Sequence, residues 1–322
     1  MKYVYQSLFA EQIREFITQK NALGYSYTES SRILRTFDRF CLKNFPTEKN
    51  LTKEICFAWA VRKDTESNNA FRNRLMPIRE FARYLNRCGI KAYILSPRFA
   101  KKSFRYIPYI YSREDIVALW NVLDQIKPNK KYPVRHWVLP AMIRLLYYCG
   151  LRPCEARKLL TKNVDLESGR LQIEESKRHK SRIIYMSDSV TEMCRKYNAY
   201  IENVMPNRNV FFPNSEGEMY GKVAIEKTFR KIRKASNIAN TGGNNPRLYD
   251  LRHTFATHRL YQWMFEKKDI TALLPYLSAY MGHAQLSDTC YYIHFVPELF
   301  EKMSGFNLAV LEELVPEVDQ YE

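Results

Sequence analysis

Apolar side chains recur at helical spacing through residues 7–97: Leu8, Ile13, Phe16 and Ile17, then Ile33, Leu34, Phe37 and Phe40, then Leu75, Ile78, Phe81 and Leu85. A stripe that returns every three to four residues buries one face of a helix, so this stretch predicts an all-helical module. The period stops in 96-SPRFAKKSFRYIPYIYS-112, which has two prolines and a run of basic residues. That composition predicts a basic linker over 98–111, lying against a partner rather than in a core. Helical spacing resumes at Ser112, where Ser-Arg-Glu-Asp forms a helix start ahead of Ile116, Leu119 and Leu123. An apolar helix around 138-VLPAMIRLLYYC-149 is then ended by Gly150, and Pro153 opens the next. In 164-VDLESGRLQIEESKRHKSRIIYMS-187 the pattern changes to alternation, with turns at Ser168-Gly169 and at 177-KRHK-180, and predicts three short antiparallel strands. Helical stripes return at Val190, Met193, Tyr197 and Ile201, at Val223, Ile225, Phe229 and Ile232, and at Leu273, Leu277 and Met281. The expected architecture is mainly α with a small antiparallel β-sheet: a helical domain over 1–97, the linker over 98–111 and a second domain over 112–322.

Composition supports folded domains, since 322 residues with 46% hydrophobic and 14% aromatic content can bury one or two sizeable cores. Charge adds a partner class. Lys and Arg number 51 against 34 Asp and Glu, a formal net charge of +17, which favours a polyanion, nucleic acid ahead of an anionic membrane. In the helical module Arg32, Arg35, Arg39 and Lys43, then Arg72, Arg74, Arg79 and Arg83, fall between the apolar positions. They fit a surface that tracks a nucleic-acid backbone and, equally, ordinary solvated faces. The 7 cysteines show no CxxC or CxxH spacing, against both a disulfide framework and a zinc site. Neither the first twenty residues nor any later run has the apolar length of a leader or a membrane span, so a soluble cytoplasmic protein with no membrane partner is expected.

Four short segments hold the candidate chemistry. Arg152 sits where a helix begins, where free backbone N–H groups and the helix dipole favour an anion, although a surface arginine at a turn is the plainer reading. Lys177 lies at the mouth of the second strand turn, where most lysines are simply solvated. In 246-PRLYDLRHTFATHRL-260 a helix start with Asp250 as cap sets Arg252 beside His253, which reads as a solvated face or as half of a phosphate site. In 280-YMGHAQLSDTCYYIHFVPELF-300, Ser287 and Asp288 predict a short helix that brings Tyr291 and Tyr292 back over earlier elements, as core filling or as a nucleophile. A tyrosine with an ordinary pKa of about 10 needs neighbouring cations to act as one.

Taken together, GLRPCEA from Gly150, a hairpin lysine at 177, YDLRHTFATH from Tyr249, MGH from Met281 and a tyrosine at 292 resemble the tyrosine recombinases, or phage-type integrases, over nearly the whole second domain. The family's motifs are G-L-R-x-x-E, a hairpin lysine, H-x-x-R-H, L-G-H and a tyrosine nine residues after that last histidine. By position they fall on Arg152, Lys177, Arg252, His283 and Tyr292, and the first histidine of H-x-x-R is replaced by Tyr249. The amino-terminal module also looks like the family's core-binding domain in 24-GYSYTESSRILRTFDRFC-41 and 68-NNAFRNRLMPIREFARYLNRCGI-90, and there only the fold is carried over.

The resemblance implies a site-specific recombinase or integrase of a mobile element, using neither metal nor cofactor. Tyr292 would attack a DNA phosphodiester to form a 3′-phosphotyrosine, Arg152 and Arg252 would clamp the phosphate with His283, Lys177 would protonate the departing 5′ oxygen, and Tyr249 would donate a hydrogen bond in place of the histidine. Its partners would be double-stranded DNA with specific recombination sites, a homotetramer spanning two duplexes, and accessory DNA-binding proteins, at the bacterial nucleoid. The stretch 297-PELFEKMSGFNLAVLEELVPEV-318, with an apolar face and Glu312, Glu313 and Glu317 around it, would be exchanged between protomers. Two other readings stay open: a sequence-specific DNA-binding protein of the same fold with lost or reduced turnover, and a topoisomerase or hairpin-end resolvase of related chemistry.

Overall fold

The computed structural model describes residues 3–99, 106–176, 180–238 and 245–295. The chain separates into two compact units, Met1–Tyr106 and Ile107–Glu322.

Among the described residues the first unit has four α-helices: α1 (Ala10–Ala22), α2 (Thr28–Asn44), α3 (Lys53–Trp59) and α4 (Asn68–Arg87). The side chains of Thr52 and Ser67 accept from the backbone N–H groups of Ile55 and Ala70, capping α3 and α4. Ile13 and Phe16, Leu34 and Phe37, Ile55, and Ile78 and Phe81 meet in one core. Leu8 departs from the expected stripe and is 49% exposed, because it precedes the first turn of α1. Buried Asp38 ties the amino-terminal segment to α2 by accepting the backbone N–H groups of Gln6 and Ser7 at 2.8 and 3.0 Å. One of the expected groove-facing cations is used internally: Arg74 pairs with Glu66 at 2.8 Å and donates to the carbonyl oxygens of Trp59 and Val61.

The second unit is built around α6 (Arg135–Tyr148), preceded by α5 (Arg113–Asp124). The helix start expected at Ser112 is present as a reciprocal cap between Ser112 and Asp115. Helix α6 buries Val138, Leu139, Met142, Ile143, Leu145 and Leu146, so it runs through the core rather than along it. Next come α7 (Pro153–Lys158) and the strands β1 (Val164–Asp165), β2 (Arg170–Ser176) and β3 (Lys180–Tyr185). They form an antiparallel sheet in the order β1-β2-β3, with Val164 opposite Leu171 and Leu171 opposite Ile184. The turn holding Lys177 lies outside the described residues. Helices α8 (Asp188–Val204), α9 (Lys222–Ala235), α10 (Asp250–Phe265), α11 (Ile270–Met281) and α12 (Ser287–Cys290) follow, and a 3-10 turn, Tyr291–Phe295, closes the described chain. Val223 is exposed, unlike Ile225, Phe229 and Ile232, because it sits two residues before Ile225 and so points to another side of α9. The mainly helical fold with a small antiparallel sheet is as expected. The segment from 297 to 318 lies outside the described residues.

The reading of 98–111 as a linker clear of any core is corrected at both ends. Phe99 packs on the core of the first unit. Tyr111 is fully buried in the second, where its N–H donates to Thr254 Oγ1 at 3.0 Å and its hydroxyl to the Arg247 carbonyl at 3.2 Å. A large ring with a polar tip is stable in a core when that tip finds an acceptor, and a count of prolines and charges does not register this.

Candidate active site

The site is assembled where the ends of α6, α7, α10 and α11 meet in the second unit. Helix α6 stops at Gly150, whose φ of +57° is left-handed and whose Cα lies so close to the Phe255 ring that a β-carbon would overlap it. The turn delivers Arg152 to the N-cap of α7, with Pro153 as the first helical residue. Arg152 donates from Nη1 to Glu155 Oε1 and from Nη2 to the Gly282 carbonyl, both at 2.7 Å. From β3, Arg182 grips the same carboxylate with two bonds of 2.9 Å and donates from Nε to the Tyr280 carbonyl at 2.8 Å.

Glu155 is therefore the joint between α7, the sheet and the end of α11. Burial alone would raise its carboxyl, but the hydrogen bonds and charge of Arg182, the Arg152 N–H and the Arg252 charge override this and hold it at about 2. Arg152 is opposed by burial as well, yet Glu155 first and Tyr249 next leave its pKa raised.

Helix α10 begins at Asp250, whose Oδ2 accepts the Arg247 N–H at 2.8 Å, so Asp250 is the first residue of the helix rather than the cap expected before it. Arg252 follows, only 1% exposed. It donates from Nη1 to the Gly150 carbonyl and from Nη2 to the Met281 carbonyl, each at 2.7 Å, and its buried Nε has no partner among the described residues. Burial first and the Arg152 charge second lower its pKa. Gly282 ends α11 with φ +67°, and its N–H and that of His283 close the turn on the carbonyls of Ala279 and Ser278. The carbonyls of Met281 and Gly282 at this turn are the ones that seat Arg252 and Arg152, at the negative end of the helix.

His283 bonds through Nδ1 to Thr289 Oγ1 at 2.7 Å, and its ring stacks on that of Tyr292 with centroids 5.9 Å apart. Burial, then the charges of Arg252 and Arg152, push its pKa down to about 3, so its imidazole is neutral at ordinary pH. The short helix expected at Ser287 is α12, and it carries Tyr292 inward to 3% exposure. Burial pushes the Tyr292 phenol up to about 12, with Arg252 pulling in the opposite sense.

Of the six residues singled out by sequence, Arg152, Tyr249, Arg252, His283 and Tyr292 gather in this one cluster, and Lys177 lies outside the described residues. Tyr249 is the most open of them at 37% exposure, with its ring 5.1 Å from that of His253. Three further members went unassigned. Glu155 holds Arg152 and is itself gripped by Arg182, and His253 Nδ1 lies 3.1 Å from the Tyr292 hydroxyl. The spacing held a signal for His253, since Tyr249, Arg252 and His253 stand at i, i+3 and i+4 and share one side of a helix.

Comparison with known proteins gives this cluster its context. Residues 113–298 match the phage integrase family. The chain is 31% identical over 308 residues, 92% of its own length and 96% of the other's, to y4rB of Sinorhizobium fredii, a protein named as an integrase/recombinase. It is 30% identical over 214 residues to the tyrosine recombinase XerD of Staphylococcus aureus, covering 65% of this chain and 64% of that one. Among solved structures, the XerH site-specific recombinase bound to difH substrate in a pre-cleavage complex aligns with a TM-score of 0.63 at 18% identity, over 90% of this chain and 83% of the other. The Tn1549 transposon integrase in complex with transposon right end DNA aligns with a TM-score of 0.62 at 14% identity, over 94% and 99%. These two likenesses are of fold. With the family match spanning more than half of its residues and a relative alike over nearly its whole length, this chain belongs to the phage integrase family, the tyrosine recombinases.

Proposed function

We propose that the protein is a site-specific DNA recombinase that cuts and rejoins DNA through a 3′-phosphotyrosine on Tyr292. The observation that carries this reading is the Tyr292 hydroxyl, buried within a cluster that holds Arg152, Arg252, His253 and His283. Attack on a phosphodiester builds a pentacoordinate phosphorane with more negative charge than the ground state. Guanidinium groups fixed beforehand stabilise that state selectively, because they need no rearrangement as the charge grows. Arg152 and Arg252 are fixed in this sense: each has both Nη atoms anchored, and the Arg252 Nε retains its donor capacity. His283, neutral and oriented by Thr289, suits donation to a phosphate oxygen. Lys177 takes the role of acid for the 5′ oxygen, on the strength of the family resemblance and its place between β2 and β3.

Double-stranded DNA as substrate is favoured by the net charge of +17 and by the DNA bound in the XerH and Tn1549 integrase structures. Two duplexes exchanged strand for strand require four nucleophiles, so the working assembly is a homotetramer, and a mobile element is the setting that the integrase relatives favour. The test is a covalent adduct. Full-length protein is incubated with nicked duplexes carrying a randomised core, and protein-linked DNA is recovered after denaturation. A binding protein of the same fold recovers none, and that result would sink the recombinase reading.

A further inference from the structure

We infer that His253 takes the phenolic proton of Tyr292 during strand cleavage and returns it during rejoining; the inference rests on the recombinase reading and deepens it. Nδ1 of His253 lies 3.1 Å from the Tyr292 hydroxyl, within hydrogen-bond reach of the one proton that must leave for a phosphotyrosine to form. The family's H-x-x-R histidine is replaced here by Tyr249, and a phenol is a poor proton acceptor near neutral pH. His253, one helical turn after Tyr249, supplies an imidazole on the same side of α10.

The other histidine is unsuited to the task. His283 lies alongside the Tyr292 ring, its Nδ1 is engaged by Thr289, and the arginines disfavour a second cation there. Among the described residues, the charged and titratable groups near His253 include Tyr249 and Arg252 on α10, His283 after α11, and Tyr292 on the closing turn, with Arg152 and Asp288 acting on Tyr292. Tyr292 needs such an acceptor, because burial opposes a free phenolate even with Arg252 nearby.

The step balances within the chain and the DNA. As Tyr292 Oη bonds to phosphorus, its proton passes to Nδ1 of neutral His253 and gives an imidazolium. The bond from phosphorus to the 5′ oxygen breaks, its electron pair stays on that oxygen, and the oxygen takes a proton from the acid assigned to Lys177. In rejoining, the 5′ hydroxyl attacks phosphorus and gives its proton back to the amine assigned to Lys177, the bond from phosphorus to Tyr292 Oη breaks, and the phenolate takes the proton held by His253.

The test uses full-length protein and the nicked duplex recovered by wild-type trapping. His253→Asn places an amide oxygen near the Nδ1 position, so it can accept a hydrogen bond but not hold a proton. Cleavage by His253→Asn and His253→Ala should fall by about a hundredfold or more near neutral pH, and then climb about tenfold per pH unit where the wild-type rate levels off. With a 5′-bridging sulfur in the duplex, Lys177→Ala should regain cleavage and His253→Asn should not, because a thiolate leaves without a proton while Tyr292 must still lose one. Wild-type protein on the sulfur substrate supplies a readout that no folding defect can imitate: its rate should keep the rising acidic limb of a base, and a flat profile overturns the inference. If wild type forms the adduct and His253→Asn matches its rate and pH profile, the recombinase reading stands and the proton role falls. Absence of any wild-type adduct removes both.

Discussion

Glu155 and Arg182 form a two-pronged ion pair, Oε1 to Nη1 and Oε2 to Nη2 at 2.9 Å each, with the Glu155 side chain 3% exposed and that of Arg182 10% exposed. Removing Arg182 leaves Glu155 paired with Arg152 but takes away two charge-assisted hydrogen bonds from a buried carboxylate, each contributing about 1.5–3 kcal/mol. Arg182→Ala should therefore lower the urea midpoint of the second unit substantially, and it should slow cleavage because Arg152 loses the support behind its own carboxylate.

The same carboxylate makes a pH prediction. Its folded pKa of about 2 lies below the ordinary value of 4.5, so the stability it contributes is fully present above the unfolded value and is lost as pH falls from 4.5 toward 2. Glu155→Gln should be less stable at neutral pH, and its urea midpoint should fall less steeply than wild type across that acidic window. Parallel slopes for the two proteins would show that Glu155 is not the titrating group.

Arg152→Ala and Arg252→Ala should each reduce cleavage by about a hundredfold or more, with smaller effects on DNA affinity, since phosphates elsewhere dominate binding. Arg252→Ala should also lower the melting temperature, because the Gly150 and Met281 carbonyls lose their donors in a dry site. A filter-binding assay beside single-turnover cleavage separates the two effects.

Tyr292→Phe should abolish the covalent adduct and keep the packing of the ring, whereas Tyr291→Phe should retain the adduct. The distinction rests on the hydroxyl that faces His253, which belongs to Tyr292. Loss of the adduct in Tyr291→Phe alone would reassign the nucleophile.

At Tyr249 the hydroxyl is expected to act as a hydrogen-bond donor toward the phosphate beside Arg152. Tyr249→His should be active and Tyr249→Phe impaired in single-turnover cleavage. Equal rates for Tyr249→Phe and wild type would reduce the residue to packing.

Much of this arrangement could be read from spacing, and the omissions have physical causes. Helical stripes locate α2, α4, α8 and α9 because each buries one face, and the glycine and proline at 150 and 153 mark a real helix end and start. Arg182 escaped notice although strand alternation held its trace: it lies two residues before Ile184, on the face that meets the core. A guanidinium on an inward face must have a partner, and the fold supplies Glu155 as that partner. His253 is legible in the sequence only as a neighbour of Arg252, because the family motif places its first histidine at Tyr249, and only the folded turn at Tyr291–Phe295 brings the Tyr292 oxygen to it. Tyr111 is illegible for a different reason, since local composition does not show that Thr254 and Arg247, far along the chain, satisfy its polar groups.

Around Glu155 the bookkeeping of charge is lopsided. Three guanidinium groups, those of Arg152, Arg182 and Arg252, gather about a single carboxylate, and their other partners are neutral carbonyl oxygens and, for Arg152, the Tyr249 side chain. Mutual repulsion in a desolvated place makes this surplus unfavourable, and it is offset by the carboxylate and by the carbonyls that the turns at Gly150 and Gly282 present. An oxyanion entering there relieves the repulsion, so substrate and scaffold are thermodynamically linked: the tighter a phosphate is held, the harder the domain is to unfold. Simple multivalent anions such as sulfate should accordingly act as weak thermal protectants of this domain, and the protection should shrink when either clamp arginine is neutralised.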